Sequence, residues 1–134
     1  MYAAVLALAL ALLAFGGEAL ACGHCVEDRV AAVYDHAVIV RALDRRHPVV
    51  FLAIEGPLAA AQGADKAIER ALRGVPGVDA GSLRVSLAGA ALSFAYDPGR
   101  EGLGPILKRA ERRLAPKGLG LSLLRVIDGD DGPR

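Results

Sequence analysis

The sequence predicts an α+β protein with two helices on one face of an antiparallel sheet. Residues 67–98 carry most of this prediction, because helical periodicity changes there to strand alternation at glycine and proline breakers. The chain has 134 residues, which suits about one small domain after an N-terminal leader. Hydrophobic residues make up 54% of the chain, aromatic residues only 4%, and Trp is absent. The core is therefore expected to be built from aliphatic side chains.

Residues 1–21 are predicted to be a signal peptide. An unbroken apolar run over residues 5–15 is followed by Ala19 and Ala21, which place small residues where a signal peptidase cuts. An apolar run of ~7–15 residues is short for crossing a bilayer. The protein is therefore expected to be exported, and periplasmic or secreted. The alternatives are a retained membrane anchor or lipidation at Cys22, and only these would anchor the N-terminus in a membrane.

The mature chain would begin with a CxxC motif, Cys22-Gly23-His24-Cys25, if cleavage follows residue 21. Thiolates are the preferred ligands of soft ions, so Cys22 and Cys25 predict binding of copper as Cu(I), with zinc or another soft metal as the alternative. His24 is a candidate third ligand. A free α-amine followed by His24 at the third position also predicts a square-planar Cu(II) or Ni(II) site with four nitrogen ligands.

Two other interpretations of the motif stay open. Two cysteines in an oxidising compartment often form a disulfide, here closing a loop so small that its stabilising effect is modest. The tetrapeptide CGHC also matches the active-site sequence of protein disulfide isomerases, which suggests thiol–disulfide exchange. Those domains place the motif after a buried strand, whereas here only the predicted signal peptide precedes it.

Residues 26–47 are predicted to form an N-terminal helix that carries the thiols. Its apolar face, at helical spacing, consists of Val26, Val30, Val33, Tyr34, Ala37 and Val38. A continuous helix rising ~1.5 Å per residue would put His36 roughly 16 Å from Cys25, too far to share one metal. His36 is therefore expected at or near the surface, and His47 at the helix exit, which leaves His24 as the one histidine placed to be a ligand.

The rest of the chain alternates strands and helices. The predicted strands are residues 49–54, 83–87, 92–96 and 121–127, and the predicted helices are residues 64–75 and 103–114. This βαββαβ order predicts a ferredoxin-like open-faced sandwich. The sheet face turned away from the two helices is expected to bear Val50, Leu52, Ile54, Ala91, Ala95, Leu124 and Val126. Because large bare apolar patches are uncommon on monomers, the N-terminal helix or a dimer partner is expected to cover this face.

The charge balance gives no indication of nucleic acid binding. The net charge is +1, and removal of the signal peptide would remove one acidic residue, Glu18, giving +2. The second predicted helix carries five basic side chains: Lys108, Arg109, Arg112, Arg113 and Lys117. We interpret them as a solvated face, with an acidic partner or lipid head groups as the alternative.

Three short motifs resemble the heavy-metal-associated (HMA) domain of copper chaperones and metal-transporting ATPases. They are Ile-Glu-Arg-Ala-Leu at residues 68–72, Val-Pro-Gly-Val at 75–78 and Tyr-Asp-Pro at 96–98. The resemblance implies a ferredoxin-like fold and the handling of Cu(I) or another soft ion. Family members bind metal through a CxxC between the first strand and the first helix, where this chain has Ala61 and Ala64. The family's own site is therefore missing.

These observations predict four segments: the signal peptide, a CxxC-bearing helical extension (residues 22–47), an HMA-like domain (48–128) and a disordered tail (129–134). No catalytic triad, phosphate-binding loop or paired-carboxylate motif is evident, so we do not expect an enzyme. The preferred hypothesis is an exported metal-binding protein that passes its ion to a protein partner. The alternatives are an interaction module whose two cysteines form a disulfide and, third, a thiol–disulfide oxidoreductase.

Overall fold

A computed structural model describes residues 25–58 and 63–130 of the chain. The predicted signal peptide, Cys22 and His24 lie outside these residues. The elements along the chain are α1 (Val26–Ala32), α2 (His36–Asp44), β1 (Val49–Glu55), α3 (Ala64–Leu72), β2 (Arg84–Ser86), β3 (Ala91–Ala95), α4 (Leu103–Leu114), a 3-10 turn (Ala115–Lys117) and β4 (Gly120–Ile127).

The four strands form one antiparallel sheet in the order β2-β3-β1-β4. Strand β1 lies in the centre, paired with β3 on one side and β4 on the other. This position explains its continuous apolar run, because every residue from Val49 to Ile54 is buried. The predicted α+β class is confirmed, and the element order is compatible with a ferredoxin-like arrangement.

The main core lies between the sheet and the helices α3 and α4. The predicted apolar faces of both helices are confirmed, since Ile68 and Leu72 of α3 and Ile106 and Leu114 of α4 are completely buried. They pack on alternate residues of β1 and β3, including Leu52, which is also fully buried. Because aliphatic side chains of this size each contribute about 1.5–3 kcal/mol when buried, this layer dominates the stability of the domain.

A second core covers the opposite face of the sheet, the face that α3 and α4 leave free. Helices α1 and α2 bury Val30 and Ile39 against Phe51 of β1 and Ala95 of β3. The sheet is therefore enclosed between two helical layers. The prediction that the N-terminal helical segment covers this face is confirmed.

The predicted side-chain orientation of β1 is wrong. Val50, Leu52 and Ile54 face α3 and α4, as does Val126 of β4, whereas Val49 and Phe51 face the N-terminal helices. The expected placements of Ala91, Ala95 and Leu124 are correct. Alternation cannot distinguish the two faces of a strand that is apolar on both, so only the pairing register decides which residues lie on which face.

The predicted single helix is broken into α1 and α2 at residues 33–35. Val33 leaves the helical conformation, and its carbonyl accepts a hydrogen bond of 3.0 Å from the buried Oγ of Ser93 on β3. Asp35 then begins α2, because its side chain accepts a hydrogen bond of 3.2 Å from the backbone N–H of Val38. The break therefore exchanges one helical hydrogen bond for a contact with the sheet.

Asp35 is expected to make the stability of the protein sensitive to acid. The N–H of Val38, and then Arg84, whose Nε donates to Oδ2 at 3.0 Å, hold the pKa of Asp35 below its usual value of 3.8. A depressed pKa contributes stability above the unfolded-state pKa, and this stability is lost as the pH falls through the folded-state pKa.

We therefore expect Asp35→Asn, which keeps a capping oxygen without the charge, to flatten the fall in unfolding free energy between neutral and acidic pH. Denaturant unfolding at a series of pH values measures this slope. Asp44→Asn, at the exposed last position of α2, is the matched control and should behave as wild type. An Asp35→Asn slope equal to the wild-type slope would contradict the assignment.

Candidate metal centre

Cys25 is the one predicted ligand within the described residues, and its thiol is exposed and free. It precedes α1 in an extended conformation, with φ of −67° and ψ of 157°, and its side chain does not cap the helix. Its carbonyl accepts the N–H of Arg29 at 3.1 Å, which fixes the backbone at this point. A side chain with these properties is accessible to a metal ion or to another thiol.

Helix α1 crosses the second face of the sheet and is held at several strands. Glu27, in its first turn, pairs with Arg125 of β4, and Arg29 Nη1 lies 3.9 Å from Glu55 Oε1 at the end of β1. Cys25 therefore lies one helical turn before Arg29, whose side chain contacts the end of β1. The loop between β1 and α3 begins directly after Glu55.

This β1–α3 loop is where the sequence resemblance would place a metal site. Ala64, at one of the two cysteine positions, is the first residue of α3 and is 1% exposed, so its methyl group belongs to the core. Ala61, at the other position, lies outside the described residues. The described loop residues, Gly56 to Leu58 and Gly63, carry no side chain that could bind a metal. The N-terminal motif is therefore the remaining candidate.

His47 takes part in a contact that the sequence reasoning missed. Its Nδ1 lies 2.8 Å from Asp79 Oδ2, and its Nε2 lies 3.7 Å from Asp97 Oδ1. The two carboxylates approach opposite nitrogens of the ring, so one metal ion could not bind the imidazole and both carboxylates. The three residues tie the junction between α2 and β1 to the segments after α3 and β3. His47 is far from Asp79 and Asp97 in the sequence, so no motif of fixed spacing could have predicted these contacts.

Within residues 25–58 and 63–130, no group of three or more His, Cys, Asp or Glu side chains is arranged to hold a metal ion. His36 is exposed at the start of α2, which agrees with its predicted position at or near the surface. A metal site at the N-terminal motif would therefore need Cys22 in addition to Cys25, with His24 as a candidate third ligand.

The basic residues of α4 divide into two groups. Arg109 Nη1 lies 3.3 Å from Glu101 Oε2, and Arg113 Nη1 donates to the carbonyl of Ala71 at 3.1 Å, at the end of α3. Both contacts join α4 to neighbouring segments. Lys108, Arg112 and Arg113 are exposed, as is Lys117 in the 3-10 turn, whereas Arg109 is half-buried. Part of the basic face predicted from the sequence is therefore structural.

Comparison with models of known protein families, with curated proteins and with solved structures finds no match to this chain. In the ranges that the structure describes, no helix has both the length and the apolar character needed to cross a bilayer. Any inference about function must therefore be drawn from the residues of this chain.

Proposed function

We propose that this chain is an exported metal-binding protein that holds a soft ion, Cu(I), through Cys22 and Cys25, with His24 as a third ligand. Zinc or another soft metal is the alternative ion. The observation that carries the proposal is the exposed, free thiol of Cys25 in a CxxC motif next to a helix fixed on the sheet. In this proposal, residues 48–128 form the ferredoxin-like, HMA-like domain, supported by the βαββαβ element order and the β2-β3-β1-β4 strand order.

The chemistry of the motif suits transfer of a soft ion. Two thiolates bind Cu(I) with near-linear geometry, and binding releases the thiol protons. The imidazole of His24 would add a third, more weakly held ligand. Because Cys25 is exposed, the thiols of a partner protein could attack the ion and take it over by stepwise ligand exchange.

The anchoring of α1 supports the proposal energetically. Burial of Val30 in the second core, together with the contacts of Glu27 with Arg125 and of Arg29 with Glu55, holds the turn that follows Cys25. One ligand is thereby positioned before metal binds, which reduces the conformational entropy lost on binding. Because Arg29, one helical turn after Cys25, contacts the end of β1, a partner bound at the motif could also contact the folded domain.

The experiment is a competition titration with Cu(I) and a chromophoric chelator. The full chain is expressed with its leader, and the exported product is purified and reduced. We expect one tightly held ion per chain, and loss of this binding in the double variant Cys22→Ser/Cys25→Ser. His36→Ala, which changes an exposed histidine of α2, is the matched control and should bind as wild type.

Equal, weak binding by the wild type and the double variant would overturn the proposal. The alternative is then an interaction module whose cysteines form a disulfide, which thiol trapping of the unreduced product would detect. Turnover in an insulin reduction assay would instead favour the third hypothesis, a thiol–disulfide oxidoreductase. Mass spectrometry of the same product gives its first residue and any lipid.

A further inference from the structure

The outer surface of α3 and α4 is basic, although the whole chain is nearly neutral. Helix α4 and the 3-10 turn carry five basic side chains and one acidic side chain, Glu111. Helix α3 and Arg73, which follows it, add three basic and two acidic side chains. Together these elements, which we call the basic layer, have a net charge of +5 in a chain whose net charge is +1. Such an asymmetry is typical of proteins that bind an anionic surface.

Most of the positive charge of the basic layer is unpaired among the described residues. Two of its basic side chains form ion pairs, Arg73 with Glu69 at 3.6 Å and Arg109 with Glu101 at 3.3 Å. Six others are exposed and form no ion pair with a described carboxylate: Lys66, Arg70, Lys108, Arg112, Arg113 and Lys117. These six cations are therefore available to a partner.

The cations belong to one surface, because α3 and α4 pack side by side on the same face of the sheet. The Nη1 atom of Arg113 donates to the carbonyl of Ala71 at 3.1 Å, which holds α4 against the end of α3. The two acidic side chains of α3, Asp65 and Glu69, border the cleft between α3 and β2, which α4 does not line. The positive charge is therefore concentrated on α4 and on the part of α3 outside this cleft.

The rest of the chain cannot neutralise this surface. Outside the described ranges the sequence has two acidic residues, Glu18 and Asp131, and Glu18 belongs to the predicted signal peptide. Two carboxylates cannot balance a net charge of +5. A second copy that presented the same layer would be repelled by its like charge. The basic layer therefore fits an anionic partner other than this chain.

The lack of exposed large apolar side chains on the basic layer indicates which anionic partner fits. Among the described residues, the large hydrophobic side chains that are exposed all lie on other elements: Val26, Tyr34, Val40, Leu87 and Leu123. Protein partners are usually bound through buried aromatic and apolar anchors, and single-stranded nucleic acids stack on aromatic side chains. A bilayer of anionic lipids requires neither, because each Lys or Arg near its surface adds its own attraction.

We propose that the basic layer binds the head groups of an anionic lipid bilayer. Each basic residue close to such a surface strengthens binding about fivefold, and salt weakens the attraction by screening it. The contact is therefore reversible. Because α1 and α2 cover the opposite face of the sheet, the bound protein carries its N-terminal helices on the side away from the bilayer. Cys25, at the start of α1, is then presented to the aqueous phase.

Co-sedimentation with vesicles tests the proposal on the exported product, with no metal added. Vesicles of phosphatidylcholine mixed with an equal amount of phosphatidylglycerol are compared with vesicles of phosphatidylcholine alone, because an anchored or lipidated N-terminus would bind both. We expect stronger binding to the anionic vesicles, and loss of this preference when the salt concentration is raised. Lys108→Gln/Arg112→Gln, which removes two exposed charges of α4, should reduce the preference for anionic vesicles about 30-fold.

Arg41→Gln/Arg45→Gln is the matched control. It removes two exposed arginines at the same spacing, from α2 and its C-terminal cap, on the opposite face of the sheet. This variant should keep the wild-type preference for anionic vesicles. All four side chains are exposed, so both double variants should unfold at the wild-type denaturant midpoint.

Equal binding of the wild type to the two kinds of vesicle would overturn the proposal. An equal effect of the two double variants would also overturn it, because the attraction would then not depend on the basic layer. Binding of poly-glutamate without a preference for anionic vesicles would overturn it in favour of an acidic protein partner. The proposal is independent of metal binding, so failure of the copper titration leaves it intact.

Discussion

Gly56→Ala is expected to reduce the free energy of unfolding by about 3 kcal/mol, through backbone strain and a steric clash together. Gly56 has a φ of +115°, a conformation that L side chains rarely adopt. An added Cβ would overlap the carbonyl oxygen of Gly118, which belongs to the backbone and cannot move as a flexible side chain can. Gly56 follows β1 directly, so the strain would fall at the entrance of the β1–α3 loop.

The matched control is Gly74→Ala. Gly74 also has a positive φ, +78°, but a Cβ there would meet no atom within 4 Å. The control should therefore show only the conformational cost, about 1 kcal/mol. Denaturant unfolding of the two variants beside the wild type measures both costs. Equal destabilisation of the two variants would show that the contact with Gly118 does not constrain the loop.

Phe51→Ala is expected to cost about 3–5 kcal/mol, because truncating a buried aromatic side chain removes its packing and leaves a cavity. Phe51 is completely buried in the second core, beneath α1 and α2. Small domains have total stabilities of about 5–15 kcal/mol, so the loss would be a large part of the total. Denaturant unfolding measures the loss, and limited proteolysis at residues 33–35 should show earlier cleavage than in wild type.

Val40→Ala is the control for this variant. Val40 is 41% exposed on α2, so its truncation should change the free energy of unfolding by less than about 0.5 kcal/mol. If Phe51→Ala were as stable as this control, the N-terminal helices would be a loosely attached extension. If the expected loss is found, the second core is part of one cooperative unit, and the position of Cys25 depends on it.

Much of the architecture could be predicted because its signals are local. Helix α4 spans the predicted residues 103–114, since its apolar residues recur at helical spacing and glycine precedes it. Strand β1 begins at the predicted residue, Val49, after Pro48. The sequence also predicted that the N-terminal helical segment covers the sheet face turned away from α3 and α4, because a sheet with two apolar faces must bury both.

The sequence predictions failed where contacts between residues distant in the sequence decide the local structure. The break between α1 and α2 depends on Ser93, which lies sixty positions from Val33 in the sequence. Asp35 was the one local signal of the break, because aspartate often caps the start of a helix. The helical periodicity on both sides of Asp35 concealed this signal. The contact of His47 with Asp79 likewise joins residues 32 positions apart, which no local pattern encodes.

By itself, the sequence determined the α+β class, most element positions and the candidate ligands Cys22, His24 and Cys25, because periodicity, breakers and a CxxC motif are properties of neighbouring residues. Only the tertiary structure decided which side of β1 faces which core, where the N-terminal segment bends, and that Cys25 lies one turn from a residue touching the end of β1. Each of these depends on strand register or on contacts between distant segments, which exist only once the chain has folded.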